Sequence, residues 1–291
     1  MSTAFRAVLE GNQEVPPNNS TASGRGTVIF DSEAVAASYS FRVDGVDYGP
    51  VTGGQAQTPT TRDDVISTHF HNGERGENGP VVFGQLNPAQ DEDDLSIVLN
   101  KNDTWTVSGT WETTDPANVS LTDFATTLDS AEVGSDAPLY FNVHTTRFPA
   151  GEIRGQLVAI ADDDDNIVNG TKGRDFLPGL GGNDIVLGFK GNDTLDGGEG
   201  EDILAGFGGA DQFVFRAASD NAAASGDDLI VDFNTSRDTV LLEGFEADFD
   251  PLANLSEGLF GATLDLGDAG QVVFLGASVD EFTQGDFDLI A

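Results

Sequence analysis

Apolar and polar residues alternate over much of the first 160 positions with the two-residue period of a β-strand. The pattern runs through 4–9, 26–30, 35–43, 65–71, 81–86, 95–99, 104–111, 139–146 and 152–160. Turn-forming residues separate these runs: Val15-Pro16-Pro17-Asn18-Asn19, Asp44-Gly45, Asn72-Gly73, Gly79-Pro80 and Pro149-Ala150-Gly151. Many short strands at this spacing predict a Greek-key β-sandwich about one domain long. Segments 49–64 and 91–94 read as exposed loops, and 116–138 as a connection with a helical turn at 121–128. Trp105 and Trp111 share a strand face, which fits core packing better than a carbohydrate platform.

Beyond residue 160 the period changes from two to nine. Five units follow one another: GTKGRDFLP (170–178), GLGGNDIVL (179–187), GFKGNDTLD (188–196), GGEGEDILA (197–205) and GFGGADQFV (206–214). Gly170, Gly179, Gly188, Gly197 and Gly206 open them; the fourth place is glycine and the sixth is Asp175, Asp184, Asp193, Asp202 or Asp211. The eighth place is always apolar. A six-residue turn followed by a three-residue strand accounts for the spacing, with glycine where the turn leaves no room for a Cβ. If two units make one coil, like turns stack about 4.8 Å apart. Asp175 then stacks on Asp193, Asp193 on Asp211, and Asp184 on Asp202, with Asn166 in the same place before Asp184. Carboxylates that close repel unless a cation lies between them.

The run resembles the calcium-binding nonapeptide array of RTX (haemolysin-type) proteins. The resemblance implies a parallel β-roll that holds several Ca2+ ions. The side chains of Asp175, Asp184, Asp193, Asp202 and Asp211 would serve as ligands, with turn oxygens at Gly170, Gly179, Gly188, Gly197 and Gly206 and at Lys172, Gly181, Lys190, Glu199 and Gly208. Alternating strands at 228–233, 238–242, 271–275 and 286–290 resemble the serralysin-like C-terminal cap of such rolls, which covers the open end of a solenoid. Asp228 and Asp232 are candidates for a peripheral calcium site. The expected organisation is a sandwich at 1–160, a roll at 161–214, and a cap with a type I secretion signal at 215–291.

The first 160 residues resemble the chordin (CHRD) domain. Phe5-Arg-Ala-Val-Leu-Glu-Gly-Asn-Gln-Glu-Val-Pro-Pro, Gly24-Arg-Gly-Thr-Val, Thr68-His-Phe-His-Asn-Gly with Asn78-Gly-Pro-Val-Val, Tyr140-Phe-Asn-Val-His-Thr, and Pro149-Ala-Gly-Glu-Ile-Arg-Gly-Gln-Leu carry the likeness. The family implies a fold more than a reaction.

Charge agrees with the calcium reading. Thirteen Lys and Arg stand against 50 Asp and Glu, for a formal net charge of −37. This balance argues against nucleic acid and anionic membrane surfaces as partners. It suits a chain held open by self-repulsion until divalent cations neutralise it. There is no cysteine, hence no disulfide framework. The first residues lead straight into strand alternation without a basic-then-apolar leader, and no apolar run approaches the ~20 residues that span a bilayer. The closing Gly285-Asp-Phe-Asp-Leu-Ile-Ala resembles the ends of type I secretion substrates, so the type I apparatus is an expected partner during export and the location expected is extracellular or at the cell surface.

The chain has three histidines: His69, His71 and His144. His69 and His71 point to one side of their strand, and His144 shares a face with Tyr140 and Asn142. If the two strands meet, three imidazoles converge at a spacing suited to copper or zinc, with Glu14 or Glu152 as a candidate fourth ligand. The alternative is that they hydrogen-bond loop carbonyls and acids. There is a loose likeness to Cu/Zn superoxide dismutase sandwiches, without the full copper and zinc ligand sets. No Gly-x-Ser-x-Gly, phosphate loop or His-Glu-x-x-His is present, so protease chemistry does not come with the tail. Two function classes follow: a secreted, calcium-folded structural, adhesive or matrix protein able to self-associate, and a copper or zinc enzyme with dismutase-like chemistry in the sandwich.

Overall fold

The computed structural model describes residues 1–91, 93–217 and 225–290, and contact density divides the chain into units at Met1–Ile160 and Ala161–Ala291. In the first unit lie β1 (Ser2–Glu10), β2 (Ser23–Asp31), β3 (Ala36–Asp44), β4 (Val65–Asn72), β5 (Val81–Leu86), β6 (Ser96–Leu99), β7 (Trp105–Trp111), β8 (Asp136–Thr145) and β9 (Ile153–Asp162). Every strand read from the alternation is present, with ends shifted by a few residues. The helical turn is also there, as a 3-10 turn at Leu121–Asp123 followed by α1 (Ala125–Asp129).

These strands form one nine-stranded sheet in the order β5-β4-β8-β9-β1-β2-β3-β7-β6. The connections β3 to β4, β5 to β6 and β7 to β8 join strands that are not neighbours in it. The sheet is sandwich-like because its halves face each other across a common core. Phe41 on β3 stacks on Phe141 on β8 at 3.8 Å, and Phe70 on β4 meets Tyr39 on β3 edge-on at 5.6 Å. Trp105 and Trp111 are both buried in this core, as their even spacing predicts.

The second unit begins with three-residue strands: β10 (Ile167–Asn169), β11 (Phe176–Pro178), β12 (Ile185–Leu187), β13 (Thr194–Asp196) and β14 (Ile203–Ala205). There follow β15 (Gln212–Arg216), β16 (Gly226–Ile230), β17 (Thr239–Glu243), the three-residue β18 (Leu255–Glu257), β19 (Gly261–Asp265), β20 (Gly270–Leu275) and β21 (Phe287–Ile290), all but β18 longer. As far as β17, strands go alternately to two sheets. One runs β10-β12-β14-β16-β20-β19-β18 and the other β11-β13-β15-β17-β21. Pairing is parallel from β10 to β20 and throughout the second sheet; β18 and β19 add antiparallel to the first.

The eighth-place residues make two apolar columns inside the roll. Register places Val168, Val186, Leu204, Ile230 and Phe274 in one. Leu177, Leu195, Phe213, Val240 and Phe287 form the other. All ten are buried. The parallel sheets therefore run on through β16, β17, β20 and β21, and the segment after residue 214 supplies further rungs of the same coil.

Candidate calcium columns and a histidine cluster

From Asp184 on, each sixth-place carboxylate is held by the main chain of the coil before it. The backbone N–H of Asp184 donates to Oδ1 of Asp202 (2.7 Å), that of Asp175 to Asp193 (2.8 Å), and that of Asp193 to Asp211 (2.9 Å). These are the three stacked pairs expected from a two-unit coil. Asn166 joins as expected, its N–H donating to Asp184 Oδ1 at 2.7 Å. The ladder also extends where no nonapeptide exists: Asp202 N–H donates to Asp228 (2.9 Å) and Asp211 N–H to Asp238 (3.1 Å). Two columns result, Asn166-Asp184-Asp202-Asp228 and Asp175-Asp193-Asp211-Asp238.

One oxygen per carboxylate is thus spent on register. The other, Oδ2, is buried and without a hydrogen-bond partner in Asp184, Asp202 and Asp211. An orphaned, desolvated carboxylate oxygen costs free energy unless something charged meets it. Burial, ahead of any neighbour, pushes Asp184 up to about 7, Asp202 up to about 6 and Asp228 up to about 8. Asp211 and Asp238 shift upward for the same reason.

Asp175 differs from the rest. Its Oδ2 accepts both the N–H (2.6 Å) and the hydroxyl (2.7 Å) of Thr171, which closes the first turn with a side chain. At the far end Asp238 Oδ2 accepts the Asn234 N–H (3.0 Å), and Arg237 Nε lies 3.5 Å from Asp238 Oδ1. Asp228 and Asp232 have separate roles: Asp228 extends a column, whereas Asp232 caps a turn by accepting from Gly206 (3.1 Å) and Phe207 (2.7 Å).

The opening glycines form the wall of the carboxylate cradle. A Cβ built on Gly188 would stand 2.8 Å from Asp193 Oδ2, and one on Gly179, Gly197 or Gly206 would overlap Oδ2 of Asp184, Asp202 or Asp211. Gly170 faces backbone instead, the Gly188 carbonyl. The third-place residues line up between coils: Gly181 bridges Glu199 and Lys190 bridges Gly208, both parallel. The Gly208 carbonyl accepts the Gly191 N–H (3.0 Å), and Lys172 lies beside Phe189 and Lys190. Hard oxygens, orphaned and walled by glycine, suit Ca2+. The fold and these columns define a calcium-binding RTX β-roll.

In the sandwich, β4 and β8 pair with His69 opposite Asn142, His71 opposite Tyr140 and Ser67 opposite His144. The three imidazoles converge, each offering a nitrogen within 4.8 Å of the others, and all are buried. Ring centroids of His69 lie 4.6 Å from both His71 and His144. His71 Nδ1 bonds the Gly79 carbonyl (2.8 Å) and His144 Nδ1 the Pro149 carbonyl (3.1 Å). A carbonyl can only accept, so both Nδ1 atoms carry the proton and both Nε2 atoms are bare. Those Nε2 atoms and His69 Nδ1 are buried without a partner. Burial, then the neighbouring imidazoles, holds His69 down to about 3; burial holds His71 down to about 4 and lowers His144.

Neither candidate fourth ligand joins the trio. Glu152 is spent on the hydroxyls of Ser20 and Thr145. Glu14, pushed up by burial to about 7, packs against Gly151. Arg154 sits over Tyr140 at 4.3 Å, and Tyr140 stacks on His71 at 4.7 Å.

Comparison with known families follows the same division. The CHRD domain model matches residues 5–157, the RTX calcium-binding nonapeptide repeat (four copies) 160–188, and the peptidase M10 serralysin C-terminal model 177–263. The chain belongs to the CHRD-domain family, whose model spans more than half of it. No curated protein matches it. Among solved structures, the AlgE6R3 subunit of the Azotobacter vinelandii mannuronan C5-epimerase is 29% identical, over 43% of this chain and 78% of that one, with a TM-score of 0.36. The extracellular lipase LipA of Serratia marcescens is 22% identical, over 55% of this chain and 30% of its own, with a TM-score of 0.33.

Proposed function

We propose that this chain is a secreted protein whose roll folds on calcium after export, and that it acts outside the cell as a structural, adhesive or matrix component. The observation that carries the reading is the pair of carboxylate columns with buried oxygens left without a partner at Asp184, Asp202 and Asp211. Ca2+ between coils would be held by the sixth-place carboxylates and turn carbonyls. It would supply a counter-charge to those orphaned oxygens. Asp175, whose carboxylate closes its own turn through Thr171, contributes least. Cytoplasmic calcium is scarce, so the columns would stay open during type I export and close outside. The type I secretion signal would lie within 215–291, of which 218–224 and Ala291 lie outside the described residues.

An adhesive role draws support from the roll surface. Phe189 and Phe207 stack one coil apart at 5.7 Å and are exposed, beside Lys172 and Lys190. Self-association has an edge strand available at β18. Light scattering of the full chain should rise on adding calcium and fall on chelation. Scattering that ignores calcium would remove the assembly part of the proposal and leave ion binding intact.

A second reading rests on the histidine cluster. Three neutral imidazoles, two with fixed tautomers, form a nitrogen set that Cu or Zn would take, with dismutase-like chemistry as the associated activity. Titrating metal-free full chain with Zn(II) or Cu(I) should shift the imidazole NMR resonances of all three histidines together at one equivalent. Resonances that stay put would end this reading.

A further inference from the structure

We infer that the sandwich carries a calcium site of its own, built from Asp91, Asp93, Asp94, Glu112 and Asp115 and separate from the roll. The sequence reads 91–94 as nothing more than an exposed acidic turn. The fold brings this turn, between β5 and β6, against the end of β7. Carboxylate oxygens of Asp91, Asp93 and Asp94 come within 4.8 Å of one another, and so do those of Asp93, Glu112 and Asp115. Asp93 belongs to both sets, so the five acids form one continuous cluster. None is paired with a base among the described residues.

A cluster of acids is ordinary on so acidic a surface. Asp91 makes this one different. It is only 2% exposed, and its Oδ1 has no hydrogen-bond partner. Its Oδ2 accepts the Tyr39 hydroxyl, which fixes the carboxylate from the core side. Two others are anchored as well: Asp94 Oδ1 accepts the Thr110 N–H (2.8 Å) and Asp115 Oδ2 the Glu112 N–H (2.6 Å). Gly109 leaves the space between them, since a Cβ there would meet both Asp91 and Asp94. Fixed oxygens that face each other with no counter-charge are the arrangement a hard cation stabilises. An all-oxygen, carboxylate-rich set favours Ca2+ over Zn2+ or Cu2+, which prefer nitrogen and sulfur.

The test uses terbium as the probe on the full chain. All tryptophans and tyrosines (Trp105, Trp111, Tyr39, Tyr48 and Tyr140) lie in the first 160 residues, so the roll contains no such sensitiser of its own. Glu112 follows Trp111 directly, and Tyr39 bonds Asp91. Excitation of tryptophan and tyrosine should give Tb3+ emission that saturates and is displaced by Ca2+. It should be lost in Asp91→Asn, which retains an acceptor for Tyr39. It should also be lost in the double variant Asp93→Asn/Glu112→Gln, whose positions lie at the surface and leave folding intact. The calcium-induced ellipticity change of the roll should be the same in all three proteins, which separates this site from the proposed role of the roll. Absent emission in the parent chain, or undiminished emission in the double variant, would overturn the assignment.

Discussion

Chelating calcium from the full chain is expected to unfold residues 161–291 while the sandwich stays folded. The columns place buried carboxylates one strand spacing apart, and the second unit has 28 acids against 5 bases. Each site saturated a hundredfold above its Kd adds about 2.7 kcal/mol. Two or three such sites match the whole stability of an ordinary domain, about 5–15 kcal/mol. Far-ultraviolet circular dichroism should lose a large part of its strand signal in chelator and recover it with calcium. The near-ultraviolet signal should persist, because every tryptophan and tyrosine belongs to the first unit and those five side chains are buried there. Gly197→Ala sharpens the test, since its Cβ would overlap Asp202 Oδ2. Crowding of this kind costs about 1–3 kcal/mol, so the calcium midpoint should rise by roughly five- to 150-fold. A roll equally folded in chelator would contradict the account.

Protons are expected to replace calcium in part. Burial raises Asp184, Asp202, Asp228, Asp211 and Asp238 above the ordinary aspartate value. For a raised carboxylate the folded state binds the proton more tightly than the unfolded chain. Stability therefore grows as pH falls through the folded values, about 8 for Asp228, 7 for Asp184 and 6 for Asp202, and is lost as pH rises through them. Each tenfold change in proton affinity is worth about 1.4 kcal/mol, so the metal-free roll should gain on the order of several kcal/mol between pH 8 and pH 5. With calcium present the direction reverses, because protons compete for the same oxygens. Thermal melts in chelator at a series of pH values, followed at a strand wavelength, read this directly. A metal-free roll that weakens on acidification would show that these carboxylates are not buried as described.

Much of this architecture was legible in the sequence. Nine strands of the sandwich followed from alternation, and the nonapeptide period fixed which aspartates stack. The rest was hidden for identifiable reasons. Asp228 and Asp238 each stand two places before an inward residue, Ile230 and Val240, as every sixth-place aspartate does. The nine-residue count is interrupted before both, so the period alone passes over Asp238. Strand β18 has only three residues and β19 five, too short for the alternation of Ala262-Thr263-Leu264-Asp265 to stand out. In the sandwich, strand parity placed the histidines on one face, but parity carries no information on what else reaches that face. The spent carboxylate of Glu152 depends on Ser20 and Thr145. The acidic turn at 91–94 looked like solvated surface because its partners lie about twenty residues further on, where only the sheet brings them back.

Alternate assignment of strands to the two sheets gives the roll a parity. Adding or deleting eighteen residues would lengthen or shorten it by a full turn and leave every later strand in its present sheet. A single nine-residue step would send β16 and β20, with the β18–β19 hairpin attached to them, to the opposite side relative to β10. Lineages that expand or contract this array should therefore do so in even numbers of units wherever the hairpin must keep its side.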